Sequence, residues 1–192
     1  MEKRFELINY FISKYNYKKY LEIGVQLKIN FGIIDISYKK SVDPDPNAGA
    51  DYVVPSDDYF SNHDEKFDII FVDGLHENDQ VYRDINNALD RLNENGTIIC
   101  HDMNPLQEIN QIVPMKTGIW NGDCWKAWVR FKREREDLDM YIVDMDHGCG
   151  VIRKGTQKVL QDTDKTLTWD NLVKNKQDWL NLISVDEFKL NN

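Results

Sequence analysis

Leu7, Ile8, Phe11, Ile12 and Tyr15 recur at the spacing of one helical face and predict an opening amphipathic helix. The apolar positions then tighten into short runs. Tyr20 to Ile23 in "YLEIG", Tyr38 to Asp43, Asp51 to Asp57 in "DYVVPSD", Phe67 to Val72 and Thr97 to Cys100 each read as a strand, the last two as unbroken buried stretches. Between them "VQLKINFGIID" is weakly helical. Val81, Ile85, Ala88, Leu89 and Leu92 share one face of a helix expected from Asn78 to Asn95, with Asn95-Gly96 as its stop signal. Pro44 and Pro46 in "DPDPNAGA" interrupt the pattern, because neither can join a ladder.

Short apolar strands alternating with helices predict parallel βαβ units with right-handed crossovers, hence an α/β, doubly wound, mostly parallel Rossmann-like sheet. Two later runs, "LDMYIVDMD" and "GCGVIRKG", are joined only at His147-Gly148, too short a link for a helical crossover. They should close the sheet as an antiparallel hairpin. Leu172, Val173, Trp179, Leu180 and Ile183 predict a tail helix from Trp169 to Ile183 that packs back on the sheet or on a partner. Residues 1–192 are thus expected to form a single domain, with 156–192 as a C-terminal helical extension.

Composition narrows the chemistry. The 192 residues are 41% hydrophobic, enough for a substantial core. Against 24 Lys and Arg stand 33 Asp and Glu, and the net charge of -9 excludes non-specific affinity for nucleic acid or an anionic membrane. The stretch "GDCWKAWVRFKRERE" interleaves aromatics with Arg130, Lys132, Arg133 and Arg135, but its helical spacing turns Trp125, Trp128 and Val129 inward and leaves the charges on a solvated face. Cys100, Cys124 and Cys149 are odd in number and lack C-x-x-C spacing, as expected of a reducing, cytoplasmic setting. The charged start "MEKRFELINYF" has no signal-peptide core, and no run approaches the ~20 apolar residues that span a bilayer.

In an open parallel sheet ligands bind beyond the carboxyl ends of the strands. Those positions hold Glu22 and Gly24, then Asp43, then Ser56 with Asp57, then Asp73 with His76, then His101 with Asp102. Acids that end neighbouring strands lie within several ångströms of one another, since strands pack ~4.8 Å apart.

"YLEIG", "SVDPDP", "FDIIFVDGLH" and "GTIICHDMNP" together resemble the small class I S-adenosylmethionine-dependent methyltransferases, in particular the branch of sugar and natural-product O-methyltransferases. The resemblance spans roughly residues 18 to 155 and is strongest from "FVDGLH" to "HDMNP". It implies that Gly24 passes closely under S-adenosylmethionine and that Glu22 lies beside its cationic methionine end. Asp43 would accept the ribose hydroxyls, Ser56 or Asp57 would address the adenine edge, and Asp73 would border the reacting methyl. Relatives carry a second loop glycine where this chain has Lys28. The expectation is a slightly rearranged loop with Lys28 facing solvent, in a backbone conformation open to a side chain.

The leading reading is therefore methyl transfer to a hydroxyl of a sugar, glycan or small metabolite, with His76 or His101 as the base. Alternatively Asp73 and Asp102 hold a divalent hard cation such as magnesium that acidifies the acceptor. A Lys28 ammonium folded against Glu22 or Asp73 would instead mark a non-catalytic binding module. A dinucleotide-binding reading lacks the G-x-G-x-x-G that it needs after the first strand. The expected partner is a small-molecule or carbohydrate acceptor, with a homo-oligomer left open.

Overall fold

The protein is described from a computed structural model covering residues 1–162, 164 and 166–191. Its centre is a seven-stranded sheet built from β1 (Lys19–Ile23), β2 (Tyr38–Val42), β3 (Phe67–Val72), β4 (Leu92–Cys100), β5 (Leu138–Val143), β6 (Cys149–Lys154) and β7 (Leu182–Ile183). The spatial order is β2-β1-β3-β4-β6-β5-β7. β1 pairs in parallel with β2 and β3, and β3 with β4, whereas β6 runs antiparallel between β4 and β5. The expected Rossmann-like sheet and its closing hairpin are both present.

Side chains alternate across the sheet as the pleat requires. One face carries Leu21, Ile23, Ile70, Val72, Ile98 and Cys100, covered by α3 (Ser56–Asn62), α4 (Asn78–Asp90), α5 (Cys124–Glu134) and α6 (Trp169–Leu180). The other carries Tyr20, Ile69, Phe71 and Ile99, covered by α1 (Arg4–Tyr15), α2 (Ile29–Ile33) and α7 (Val185–Asn191). Trp125, Trp128 and Val129 of α5 are buried, as their spacing predicts. The basic residues of α5 are not merely solvated: Arg130 pairs with Asp79 and stacks on Tyr82, Arg133 pairs with Asp162, and Lys132 is buried against Gln157.

Three expectations are corrected. "DYVVPSD" is not a strand; it touches β2 by a single bridge, Val42 to Tyr52, and Val53 is exposed. The Asp51 carboxylate accepts the Ser41 N–H and hydroxyl where a ladder would continue, and Pro55 has no N–H to donate. The helix expected to reach Asn95 stops at Asp90, because Leu92 pairs with Phe67 and the register shifts before Ile69 meets Thr97. Tertiary pairing thus draws into β4 a leucine that lies on the helical pattern. The tail helix ends at Leu180 with Asn181 left-handed, and Leu182 and Ile183 extend the sheet edge beside β5. Residues 163, 165 and 192 of the expected C-terminal extension lie outside the described residues.

Among the described residues no helix is long and apolar enough to cross a membrane. Cys100, Cys124 and Cys149 are buried and unpaired.

Candidate active site

The order of strands reverses between β1 and β3, since the chain runs outward from β1 to β2 and returns on the other side to β3. A crevice opens there, beyond the strand ends, as the doubly wound topology requires. Its cavity measures about 960 Å³. Glu22, Gly24, Asp43, Ser56, Asp73, His76, His101 and Asp102 all line it. Asp57 does not; it is drawn away by Arg83 at 3.2 Å.

On the β1–β2 side the backbone is held tightly. Gly24 sits at φ +83°, and a Cβ there would lie 2.0 Å from the Asp73 carbonyl oxygen, so only glycine fits where the loop crosses β3. Asp43 accepts the Val25 and Gln26 N–H groups at 2.8 and 3.1 Å and that of Asp45 at 2.9 Å. Three of its roughly four lone-pair sites are spent on fixing the loop, which leaves about one for a hydroxyl. Ser56 donates its proton to the buried Asp84 at 2.6 Å, and Gln80 donates to both.

Glu22 is 1% exposed and accepts from Tyr20 and Asn30, both neutral. Burial raises its carboxyl to about 7, against the lowering effect of those two donors. Lys19, the cation nearest in sequence, is taken by Glu65 at 2.7 Å. A buried carboxylate with no cation bonded to it is where a cationic ligand is stabilised.

Lys28 does not line the cavity. Its ammonium lies 5.5 Å from the centre of the Phe31 ring, half-buried, and the pocket is open as expected. The backbone expectation is corrected: Lys28 keeps φ +58°, so the loop retains the left-handed turn and the lysine bears its strain.

The β3–β4 side is a network of charges. His76 faces Asp73 at 3.3 Å and Asp102 at 3.4 Å; His101 faces the same two at 3.3 and 2.9 Å. The sequence pattern gives no sign of Arg4 or Asp146, which complete the network. Arg4 Nη1 reaches Asp73 at 3.3 Å and lies 2.7 and 2.8 Å from the two ring nitrogens of His101. Asp146 accepts the Arg4 backbone N–H at 2.9 Å and so fixes the start of α1 over the cavity. Its position after β5, just before Gly148 at φ +89°, is the one local hint of a turn built to present it.

Burial alone would lower the pKa of His101, but the Asp73 charge and hydrogen bonds to Asp102 and Asp73 outweigh it and hold the imidazole at about 10. The Arg4 guanidinium opposes this protonation. Its contact with both ring nitrogens favours the neutral ring, while the two carboxylates favour the charged one. The same contacts keep Asp73 well below the usual carboxylate range in spite of its burial. His76 is likewise raised, its burial being overcome by Asp73 and Asp102.

A loop missed by the sequence pattern orients His76. Trp120 stacks on its ring at 5.1 Å, and Asn121 donates to Asp102 at 2.8 Å. Gly122, at φ +60°, passes so close that a Cβ would fall 1.8 Å from the His76 carbonyl oxygen. The remaining histidines play smaller parts: His63 stacks on Tyr59 away from the cavity, and His147 is an exposed turn residue at its edge.

Donor atoms of Asp73, His76 and Asp102 lie within 4.8 Å of one another, compact enough for one metal ion. As the side chains stand they do not fit a divalent cation, because the Arg4 guanidinium and the imidazoles of His76 and His101 already occupy these carboxylates. Magnesium would have to displace Arg4 and compete with both imidazoles.

Residues 42–103, from the end of β2 to just past β4, match the family model of a methyltransferase domain. Among solved structures the chain is similar to the Podospora anserina methyltransferase PaMTH1 bound to SAH, with a TM-score of 0.58, 19% identity, and 81% of this chain and 80% of that one covered. The fold is that of the class I methyltransferases. The O-methyltransferase of Bacillus cereus in complex with SAH aligns with a TM-score of 0.53 at 13% identity over 78% of each chain. TomG of Streptomyces achromogenes, an O-methyltransferase of tomaymycin synthesis in complex with SAM, aligns with 0.55 at 12% over 80% of each. No curated protein matches the chain. Within this methyltransferase fold, the crevice between β1 and β3 is the place where Gly24 and Asp73 meet.

Proposed function

We propose that the chain is a cytoplasmic S-adenosylmethionine-dependent O-methyltransferase that modifies a hydroxyl of a small-molecule or carbohydrate acceptor. The observation that carries this reading is the meeting, at the switch point of a methyltransferase fold, of a glycine loop and a lone buried carboxylate with a histidine held between two acids. S-adenosylmethionine, when bound, supplies an electrophilic methyl on a sulfonium. Gly24 leaves the loop bare, Glu22 faces the cationic end, and the remaining capacity of Asp43 takes a ribose hydroxyl.

On the other side His76 receives the proton of the acceptor hydroxyl, and Asp73 and Asp102 hold the charge that then forms on its ring. His101, 4% exposed and enclosed by Asp73, Asp102 and Arg4, keeps the two carboxylates in place and has no ring nitrogen free to act as the base. Lys28, whose insertion into the pocket would mark a binding module, is turned away from it.

Calorimetry tests the reading directly. S-adenosylmethionine and its demethylated product should bind with micromolar dissociation constants, and a nicotinamide dinucleotide should not. Absence of the first, or presence of the second, overturns the assignment.

A further inference from the structure

The cavity has a polar floor and an apolar mouth. Glu22, His101 and Asp102 line it at 1, 4 and 5% exposure and so lie deep. Ile29, Ile33, Leu75, Met115 and Ile119 line the same cavity at 68, 49, 51, 59 and 60%, so they stand at its opening. These five come from three separate segments: Ile29 and Ile33 one helical turn apart on α2, Leu75 in the turn after β3, and Met115 with Ile119 in the loop before α5. Single exposed hydrophobics are ordinary, but large apolar side chains from three segments converging on one reaction cavity mark a binding surface. The stacked pair of His76 and Trp120 joins floor to mouth. At about 960 Å³ the cavity is at the upper end of the roughly 300–1,000 Å³ typical of a site for one drug-sized ligand, which leaves space beside a cofactor.

We propose that the acceptor is a neutral amphiphile. Its hydroxyl-bearing head reaches His76 on the floor, while an aliphatic or aromatic segment lies across the mouth against Leu75, Met115 and Ile119. This rests on the O-methyltransferase reading for the role of the head. Charge argues for neutrality: Asp73, Asp102 and Asp146 already have Arg4, His76 or His101 as partners, and Arg4 and His101 are taken by those same acids, so a charged acceptor of either sign finds no free counter-charge there. The apolar segment supplies affinity that this self-paired floor does not.

The test is a series of methyl, butyl, hexyl and octyl glucosides, each below its micelle concentration, titrated into the full chain with and without saturating SAH while Trp fluorescence and heat are recorded. Affinity should rise about threefold to fourfold for each methylene that reaches the mouth. Met115→Ser combined with Ile119→Ser should abolish that rise while leaving SAH affinity unchanged. Affinity independent of chain length, or an equal rise in the double variant, overturns the inference. So does sedimentation showing a dimer that the same two substitutions dissociate, since the mouth would then face a second copy. SAH titrated alone separates the two readings: its failure to bind removes the methyltransferase assignment, whereas the chain-length series in the cofactor-free protein still decides whether the mouth takes an apolar ligand.

Discussion

The two sides of the crevice solve the same problem by different physics. On the β1–β2 side backbone does the work: Asp43 ties the loop through three N–H groups, and Gly24 passes where no Cβ fits. On the β3–β4 side side chains do it, with one guanidinium, two imidazoles and three carboxylates holding one another. A loop fixed by main-chain bonds is pre-organised for one ligand of fixed shape. A network of ion pairs can exchange partners when a substrate or a proton arrives. Under the proposed function, the first would suit the invariant cofactor and the second the acceptor and its proton.

The sharpest way to break that assignment is to separate the two histidines. His101→Ala leaves Asp73 and Asp102 short of a buried cation and should cost about 3–5 kcal/mol of stability, read as a lowered Tm or denaturant midpoint. His76→Ala should leave the melting nearly unchanged and lower turnover by at least ~100-fold, with added chelator having no effect on the wild type. If the two variants exchange phenotypes, His101 is the base.

On the other side Asp43→Ala should weaken SAH binding by about 1.5–3 kcal/mol, roughly tenfold to a hundredfold in Kd, because it removes a charged acceptor from the loop as well as from the ribose. The loop should lose hydrogen-exchange protection at Val25 and Gln26 at the same time. An unchanged Kd would show that the loop is organised without it.

Glu22 gives a pH signature. The folded carboxyl holds its proton up to about 7 while the unfolded one releases it near 4.5, so the folded state binds more protons in that window. Stability contributed by this residue is then lost as the pH rises from 4.5 to 7, with a slope of at most about 1.4 kcal/mol per pH unit for one proton. Glu22→Gln should remove that component from a series of urea midpoints. A variant that parallels the wild type would mean that Glu22 is ionised in the fold throughout.

The smallest effect is expected at Lys28. Relief of left-handed strain by Lys28→Gly is offset by the entropy of glycine, so stability should change by less than about 1 kcal/mol. SAH affinity should hardly move. A gain from undetectable to micromolar binding would show that the lysine had closed the site.

The strand ends were legible because local rules govern them. Buried runs such as "DIIFV" and "TIIC" can only be central strands, and the acid or histidine after each then falls at the ligand-binding edge. Leu92 shows where such rules fail: it continues the helical face of α4, yet pairing with Phe67 takes it into β4, since a ladder between neighbouring strands outweighs one more turn of helix. "DYVVPSD" failed for the opposite reason, having strand-like composition but only one backbone bridge, at Tyr52, next to which the Asp51 side chain takes the Ser41 N–H.

By itself the sequence determined the doubly wound sheet, its antiparallel closure and most of the polar residues that line the crevice at its strand ends, because periodicity and turn chemistry act over a few residues. Only the tertiary structure decided which groups those residues meet. Arg4 lies 69 positions from Asp73, and Asp146 lies 142 from Arg4, and no local pattern couples charges so far apart along the chain. Whether His101 is a base or a buried cation, and whether Lys28 blocks the pocket or leaves it open, depends on which groups surround each side chain and how little water reaches them. Those are properties of the packed fold.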